Sequence, residues 1–234
     1  TSTAGQVVTL LFFACALFAP LIAPFDPFDP AQISLWDAKK PPSWEAGGDP
    51  LYILGTDNQG RDMLSTILYG GRISLAVGFA SVAFGMVLGV ALGVLSGYLG
   101  GWLEALVMRL ADVQLTIPGI LVAILINGIL RSVLPPELRD ELAIYVVILA
   151  IGLSDWPQFA RVARSATLVE ARKEYVQAAR VIGIGPTVIM VRHIVPNVLR
   201  PVLVLATIGL ALAIIAEATL SFLGQGVDRK STRL

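Results

Sequence analysis

Charged residues and residues with reactive side chains are both scarce in this sequence. Lys, Arg, Asp and Glu make up 15% of the 234 residues, whereas about one quarter is usual in soluble domains. The single cysteine, Cys15, excludes an intrachain disulfide and a cysteine-based metal site. The single histidine, His193, excludes a cluster of histidine metal ligands and the HExxH motif. We therefore expect this chain to hold no metal and to have no catalytic residues.

Charge of one sign is not in excess either, because 17 basic residues balance 17 acidic ones. Bulk charge therefore indicates no nucleic-acid partner. Hydrophobic residues are abundant instead: they make up 56% of the chain, and the mean hydropathy is +0.77. A soluble protein of this length cannot bury that much apolar sequence. The composition therefore favours an integral membrane protein, for which lipid is the solvent.

The apolar residues are gathered into five runs, at residues 7–22, 73–95, 103–130, 142–159 and 198–223. An α-helix needs about 20 residues to cross a hydrocarbon core of about 30 Å, and each run is close to that length or longer. None shows the alternation of apolar and polar residues that a membrane barrel needs. The sequence predicts an all-α, polytopic membrane helical bundle with five spans.

Basic residues are concentrated between the fourth and fifth runs. Residues 155–200 contain seven Lys or Arg against three Asp or Glu, whereas residues 25–72 contain four against seven. Lys and Arg accumulate in cytoplasmic loops, so the first of these segments is predicted inside and the second, which is rich in proline, outside. The chain thus divides into a first span at 1–24, an extracytoplasmic segment at 25–72 and a transmembrane core at 73–227, with a cytoplasmic loop at 161–197.

Small residues recur at every fourth position of the second run: Ser81, Gly85, Gly89, Gly93 and Gly97. This period places them on one helix face, where missing side chains let another helix approach closely. The other helix could belong to the same chain or to a partner subunit, and the sequence leaves both alternatives open.

Nucleotide binding by this chain is not expected. The stretch from Gly55 to Gly60 has the glycine spacing of a phosphate-binding loop, but Arg61 and Asp62 follow where that motif has Lys and then Ser or Thr. A carboxylate at that point would repel a phosphate and could not replace the hydroxyl that binds Mg²⁺. Any ATP that is used must be bound by another chain.

Two carboxylates, Asp112 and Glu217, fall within or near predicted spans. A carboxylate at bilayer depth is costly unless it is paired or faces water, so both are functional candidates. A proton relay in an ion-coupled secondary transporter is one interpretation, and a structural bond to a neighbouring helix is the other. Ser221 lies near Glu217, but His193 belongs to the cytoplasmic loop. No nucleophile–base pair for an intramembrane enzyme is therefore expected.

The cytoplasmic loop should contain a short amphipathic helix at residues 170–180, which lack Gly and Pro. Its spacing places four residues on one face, with the charged residues opposite: Tyr175, Ala178, Ala179 and Ile182. Gly183 should end the helix, and a second short helix is predicted at 186–193, stopping before Pro196. Such a hairpin could dock a soluble partner or lie on the lipid headgroups.

This loop carries two distinctive blocks, Glu174-Tyr-Val-Gln-Ala-Ala-Arg-Val-Ile-Gly183 and Arg192-His-Ile-Val-Pro-Asn197. Together they resemble the EAA loop of ABC-importer permeases. The sequence departs from the usual pattern at Gln177, where Glu is common, and at Val195, where Leu is common. Residues 54–62 with 69–75, and residues 217–224, resemble the dipeptide, oligopeptide and nickel permeases in particular, as a second-permease or C-type subunit.

The resemblance implies a type I ABC-importer permease fold with six helices, in the cytoplasmic membrane of a bacterium or archaeon. It implies four kinds of partner: a second homologous permease, two cytoplasmic ATPase subunits that bind ATP and Mg²⁺, an extracytoplasmic solute-binding protein and membrane lipid. The EAA loop would then be the element that couples to the ATPases. The residues assigned to that contact are Arg172, Glu174, Tyr175, Gln177, Ala178, Ala179, Gly183, His193 and Pro196.

Residues 228–234 resemble neither the outside segment nor the sixth helix that the family has at this point, so we expect a truncation or a foreign tail there. The hypothesis from the sequence is a non-catalytic permease subunit that imports peptides or a related small solute, with nickel included, by alternating access. The alternative is an ion-coupled secondary transporter that uses Asp112 or Glu217.

Overall fold

The computed structural model describes residues 2–27, 29, 33–139 and 141–223. Within these residues the regular structure is helical, apart from one isolated bridge between Thr56 and Asp62, and the all-α prediction is confirmed. The helices are α1 (Ser2–Leu17), α2 (Ala19–Ile22), α3 (Met63–Leu99), α4 (Gly101–Leu115), α5 (Gly119–Val133), α6 (Pro136–Arg139), α7 (Ala143–Glu170), α8 (Glu174–Val181), α9 (Pro186–Val188) and α10 (Val195–Phe222). A 3-10 turn at Leu35–Asp37 and a π-helical turn at Ile189–Ile194 complete them. The predicted tail at 228–234 lies outside the described residues.

Three helices in the described part of the chain are long and apolar enough to cross a membrane: Met63–Leu99, Ala143–Glu170 and the continuous run Pro186–Phe222. A fourth span results if α4 and α5 are counted together. The N-terminal apolar helix α1 has 16 residues and is shorter than each of these three spanning helices. The apolar runs of the sequence therefore correspond to helices, although their ends and continuity differ from the prediction.

The third predicted span, residues 103–130, is two helices and not one. Helices α4 and α5 are bent by 100° at the break between them. Pro118 has no backbone N–H and disfavours a helical conformation at the residue before it, so α4 ends at Leu115. The backbone N–H of Thr116 donates to the Val113 carbonyl at 3.3 Å, so the last turn of α4 has the three-residue spacing of a 3-10 turn. We call this break at residues 116–118 the elbow.

The chain divides into two compact units, one up to Ala76 and one from Val77 onwards. In the first unit, the Asp62 carboxylate accepts a hydrogen bond from the Ser65 backbone N–H at 2.7 Å. This contact caps α3, which therefore starts at Met63, inside the proline-rich segment predicted at 25–72. The Lys40 ammonium group connects two parts of the same segment, because it forms ion pairs with Asp37 at 2.7 Å and with Asp49 at 2.8 Å.

In the second unit, α3 packs against α7 through small residues. The four glycines at period four all face α7 of the same chain: Gly85, Gly89, Gly93 and Gly97. A Cβ added at Gly85 would lie 2.9 Å from the Gly152 carbonyl oxygen, and one at Gly89 would lie 2.5 Å from the Phe159 Cβ. Of the two alternatives that the sequence leaves open, the structure shows the contact within the chain.

Helix α7 continues well beyond the fourth apolar run, which ends at residue 159 in the sequence. The predicted short helix at 186–193 also differs, because it does not stop before Pro196. The chain is helical without interruption from Pro186 to Phe222. Pro196 does not break this run, and the turn before α10 is π-helical, at Ile189–Ile194, which is a local adjustment of the helical hydrogen bonds.

Candidate functional site

The predicted coupling helix is α8, which connects to α7 through a turn at residues 171–173. Gly183 ends it, with a φ of +82°. The Gly183 N–H bonds the Arg180 carbonyl at 3.1 Å and the Ile184 N–H bonds the Ala179 carbonyl at 3.0 Å. These two bonds form a Schellman motif, in which glycine adopts the left-handed conformation without steric cost.

One side of α8 packs on the protein and the other does not. Val176 and Ala179 are buried, whereas three apolar residues point away: Ala178, Val181 and Ile182. Val181 is 87% exposed and Ile182 is 74% exposed. We call Ala178, Val181 and Ile182 the docking face. Of the four residues that the sequence placed on one side of this helix, Ala179 turns inward and the other three are exposed.

A hydrogen-bond network holds α8 in place. The Tyr175 hydroxyl donates to Glu170 Oε2 at 2.6 Å and accepts from Asn197 Nδ2 at 3.2 Å. The Asn197 amide also donates to the His193 carbonyl oxygen at 2.9 Å. The hydrogen bond to Glu170, with burial, raises the pKa of Tyr175. We call Glu170, Tyr175, His193 and Asn197 the anchor network, because it ties α8 to the end of α7 and the beginning of α10.

Two further contacts position α8. The Arg180 guanidinium lies over the Tyr98 ring, 4.9 Å from its centroid, which links α8 to the end of α3. The Gln177 amide donates to the Ala171 carbonyl oxygen at 3.1 Å. The remaining predicted coupling residues are exposed on the same loop: Arg172, Glu174, Gln177 and Pro196. The structure thus places most of the predicted residues on α8 and the turns next to it, whereas His193 and Pro196 lie in the helical run that follows.

The two carboxylates that the sequence places within or near predicted spans lie in different surroundings. Asp112 on α4 forms an ion pair with Arg161 on α7, and both side chains are more than half exposed. Glu217 on α10 is buried, with 6% of its surface exposed. A second ion pair joins Glu104 and Arg164, with the Arg164 Nε 2.7 Å from the Glu104 carboxylate. The groove of about 540 Å³ beside these pairs is lined by residues that include Gly101, Met108 and Ser165.

The elbow is held against the middle of α7 by polar contacts. Pro157 lies inside α7 and cannot donate to the Leu153 carbonyl. The Gln114 amide donates to that carbonyl instead, at 2.7 Å. The Ser154 hydroxyl bonds the Gly119 carbonyl at 2.8 Å, across the elbow. The Leu153 carbonyl that Pro157 leaves without its helical donor therefore has a polar partner inside the protein.

Asp155 is a candidate residue that was not singled out from the sequence. It was counted with the charges of residues 155–200 although it also lies in the fourth apolar run, at 142–159, and the structure places it in the middle of α7. The carboxylate is partly exposed, and no described residue donates a hydrogen bond to it or forms an ion pair with it. Its position inside the fourth apolar run was the available signal, because an ionisable residue within a span is a functional candidate.

Comparison with known proteins identifies relatives of the whole chain. The family described as "Binding-protein-dependent transport system inner membrane component" matches residues 89–232. The sequence is 37% identical to the di/tripeptide transport system permease protein DppC of Pseudomonas aeruginosa, over 96% of this chain and 70% of that protein. It is 40% identical to the dipeptide permease DppC of Haemophilus influenzae, over 98% and 74%. It is 34% identical to the oligopeptide permease OppC of Bacillus subtilis, over 95% and 67%.

Proposed function

Because the chain belongs to the family of binding-protein-dependent transport system inner membrane components, we propose that it is a permease subunit of an ATP-driven peptide importer. The relatives named above transport dipeptides, tripeptides or oligopeptides by their own descriptions. Peptides are therefore the proposed cargo, and nickel, which none of these three names, is not proposed. The permease makes and breaks no covalent bond and works by alternating access.

The proposed contact with the ATPase is the docking face of α8. This is the observation that carries the proposal: an apolar face that is exposed at the end of a membrane-spanning helix and held rigidly by the anchor network. Short helices with exposed apolar residues are a common way to bind the groove of a partner protein. A fixed helix loses little conformational entropy when it binds, so it is suited to transmit movement.

The other partners follow from this assignment. A second homologous permease would complete the path, two ATPase subunits would bind ATP and Mg²⁺, and an extracytoplasmic binding protein would deliver the peptide. The loop that contains α8 would be cytoplasmic and residues 25–72 would be outside. The core at 73–227 would carry the path and the segment at 1–24 would be an additional span.

The ion-coupled alternative has no support. Its candidate Asp112 already forms an ion pair with Arg161, and the family is one of transport systems that depend on a binding protein. Uptake that requires ATP and persists without an ion gradient is the result expected for the proposed importer.

The test is capture of the ATPase subunits by the tagged permease from membranes that contain the whole transporter. Ala178→Glu places a charge in the docking face, and we expect it to reduce capture about tenfold or more, as for a central contact residue. Ala46→Glu is the matched control, because Ala46 is exposed in the segment predicted outside. Equal capture by both variants would contradict the docking face. Wild-type uptake without any captured ATPase would contradict the importer itself.

A second variant separates binding from transmission. Tyr175→Phe removes the hydroxyl that joins Glu170 and Asn197 but leaves the docking face unchanged. We expect it to capture the ATPase nearly as well as the wild type while transporting fewer peptides per ATP hydrolysed. An unchanged ratio of transport to hydrolysis would show that the anchor network does not transmit movement.

A further inference from the structure

A row of polar side chains runs along the more exposed side of α7. Its members are spaced three or four residues apart and so share one helix face: Asp155, Gln158, Arg161 and Ser165. Gln158, Arg161 and Ser165 are exposed, and Asp155 is partly exposed. Lipid cannot hydrogen-bond such groups, so a polar face on a membrane-spanning helix must meet water or protein.

Asp155 lies in the interior of α7, a helix that is long and apolar enough to cross a membrane. It follows the first residue of α7, Ala143, by 12 positions and precedes the last, Glu170, by 15. At 1.5 Å per residue these distances are about 18 Å and about 22 Å along the helix. The helix is longer than a hydrocarbon core of about 30 Å. With the predicted cytoplasmic loop beginning at residue 161, Asp155 lies about 9 Å inside the cytoplasmic end of that core.

The elbow lies at the same depth. The Gln114 amide reaches the Leu153 and Ser154 carbonyls at 2.7 Å and 3.1 Å, and the Trp156 indole N–H donates to the Gln114 side-chain oxygen at 3.0 Å. These hydrogen bonds involve the residues on both sides of Asp155 in the sequence, but not the Asp155 carboxylate. Broken helices at membrane depth occur where they are buried in protein or line a cavity or a binding site.

The two arginines that follow Asp155 along α7 form ion pairs with acidic residues, whereas Asp155 has no ion-pair partner in the part of the chain that the structure describes. Arg161 is paired with Asp112, and Arg164 is paired with Glu104. Among the described residues none forms an ion pair with Asp155, so the carboxylate is available to a cation from outside this chain. A peptide carries such a cation at its amino terminus, an ammonium group with three hydrogen-bond donors and no acceptor.

We propose that the α7 face at Asp155 lines the aqueous path and that the Asp155 carboxylate binds the α-ammonium group of the peptide in transit. This inference rests on the proposed importer function and assigns a ligand group to one residue. The contact is a charge-assisted hydrogen bond, which is stronger than a neutral one. It requires the carboxylate, so an amide of the same shape cannot replace it.

The test uses the complete transporter, reconstituted in lipid vesicles with its binding protein and a labelled dipeptide. We expect Asp155→Asn to slow ATP-driven uptake about tenfold or more, the effect of losing one hydrogen bond to a charged group. Asp155→Glu keeps the charge and should retain more uptake than Asp155→Asn. Glu137→Gln, on the exposed helix α6, makes the same chemical change elsewhere and should transport like the wild type.

The outcomes distinguish this inference from the function on which it rests. If the wild type shows no ATP-dependent uptake, the importer function itself fails. If the wild type transports and Asp155→Asn keeps more than half of its rate, the role of Asp155 is refuted. If Asp155→Asn no longer co-purifies with the second permease, the carboxylate binds that subunit and not the peptide.

A second measurement tests the aqueous path directly and does not depend on the transport rate of Asp155→Asn. Asp155→Cys, made together with Cys15→Ala so that no other thiol remains, is treated with a membrane-impermeant cationic thiol reagent. We expect labelling of the assembled transporter and slower labelling when the dipeptide-loaded binding protein and ATP are present. An unlabelled thiol would place this face against protein or lipid and would overturn the proposal.

Discussion

The close packing of α3 on α7 predicts that Gly89→Ala destabilises the permease. A Cβ at Gly89 would lie 2.5 Å from the Phe159 Cβ, 2.6 Å from the Trp156 carbonyl oxygen and 2.9 Å from the Ala160 nitrogen. Carbon atoms in contact are normally about 3.5–4.0 Å apart. Two of the three neighbouring atoms belong to the backbone and cannot rotate away, so the helices must separate by about 1 Å.

The size of the effect follows from two opposing terms. Overpacking of this kind typically costs about 1–3 kcal/mol, and a clash with backbone belongs at the upper end of that range. Alanine regains about 1 kcal/mol because it is the better helix former. The net loss is therefore about 2 kcal/mol, which lowers the Tm by about 4–8 °C in a protein of this length.

The assay is thermal unfolding of the purified protein in one detergent, with Gly128→Ala as the matched control. Gly128 lies in α5, and a Cβ added there would have no atom within 4 Å. We expect the control to melt at the wild-type temperature or slightly above it. If Gly89→Ala melts at the temperature of Gly128→Ala, α3 and α7 do not approach as closely as the structure shows.

Two further predictions concern the loop elements. Gly183 has a φ of +82°, and a Cβ added there would meet no neighbouring side chain within 4 Å. Gly183→Ala should therefore lower the free energy of unfolding by about 1–2 kcal/mol for the left-handed backbone alone, and Gly183→Asn should lower it less. Equal melting temperatures for the two variants would contradict this reasoning. Hydrogen bonds from Lys40 hold the pKa values of Asp37 and Asp49 below their usual range. The stability from these carboxylates is therefore complete above their unfolded pKa near 4 and is lost as the pH falls through the lower folded values. Limited proteolysis of residues 33–62 should become faster in that acidic range for the wild type, whereas Lys40→Gln should be cleaved faster already at pH 7.

The helices and helix ends that could be predicted from the sequence are those determined by residues close together in the chain. The apolar runs indicate spans by length and composition alone, and Gly183 indicates the end of α8 because its left-handed conformation is a property of one residue. The direction of the docking face required the fold. Periodicity places Tyr175 and Ala179 on one side, but only packing decides that Ala179 is buried.

Features that depend on partners distant in sequence were not predictable. Helix α7 continues past Phe159 because Arg161 and Arg164 find acidic partners on α4, about fifty and sixty residues earlier. The elbow had a visible cause in Pro118. Apolar sequence continues on both sides of that proline, however, and the run was therefore taken as one span. Asp155 was counted only with the charges of residues 155–200, because its lack of an ion-pair partner among the described residues depends on the fold.

The proposed cargo contact and the proposed ATPase contact are joined by one helix. Asp155 and Glu170 both belong to α7, and Glu170 accepts the hydrogen bond that fixes Tyr175 of α8. Between them α7 is helical throughout, and Gln114 braces the carbonyl freed by Pro157. A braced helix does not bend freely at its proline, so a displacement of α8 that moves Glu170 must also move Asp155. The distance between the two sites, about 22 Å along the helix, is therefore no obstacle to coupling.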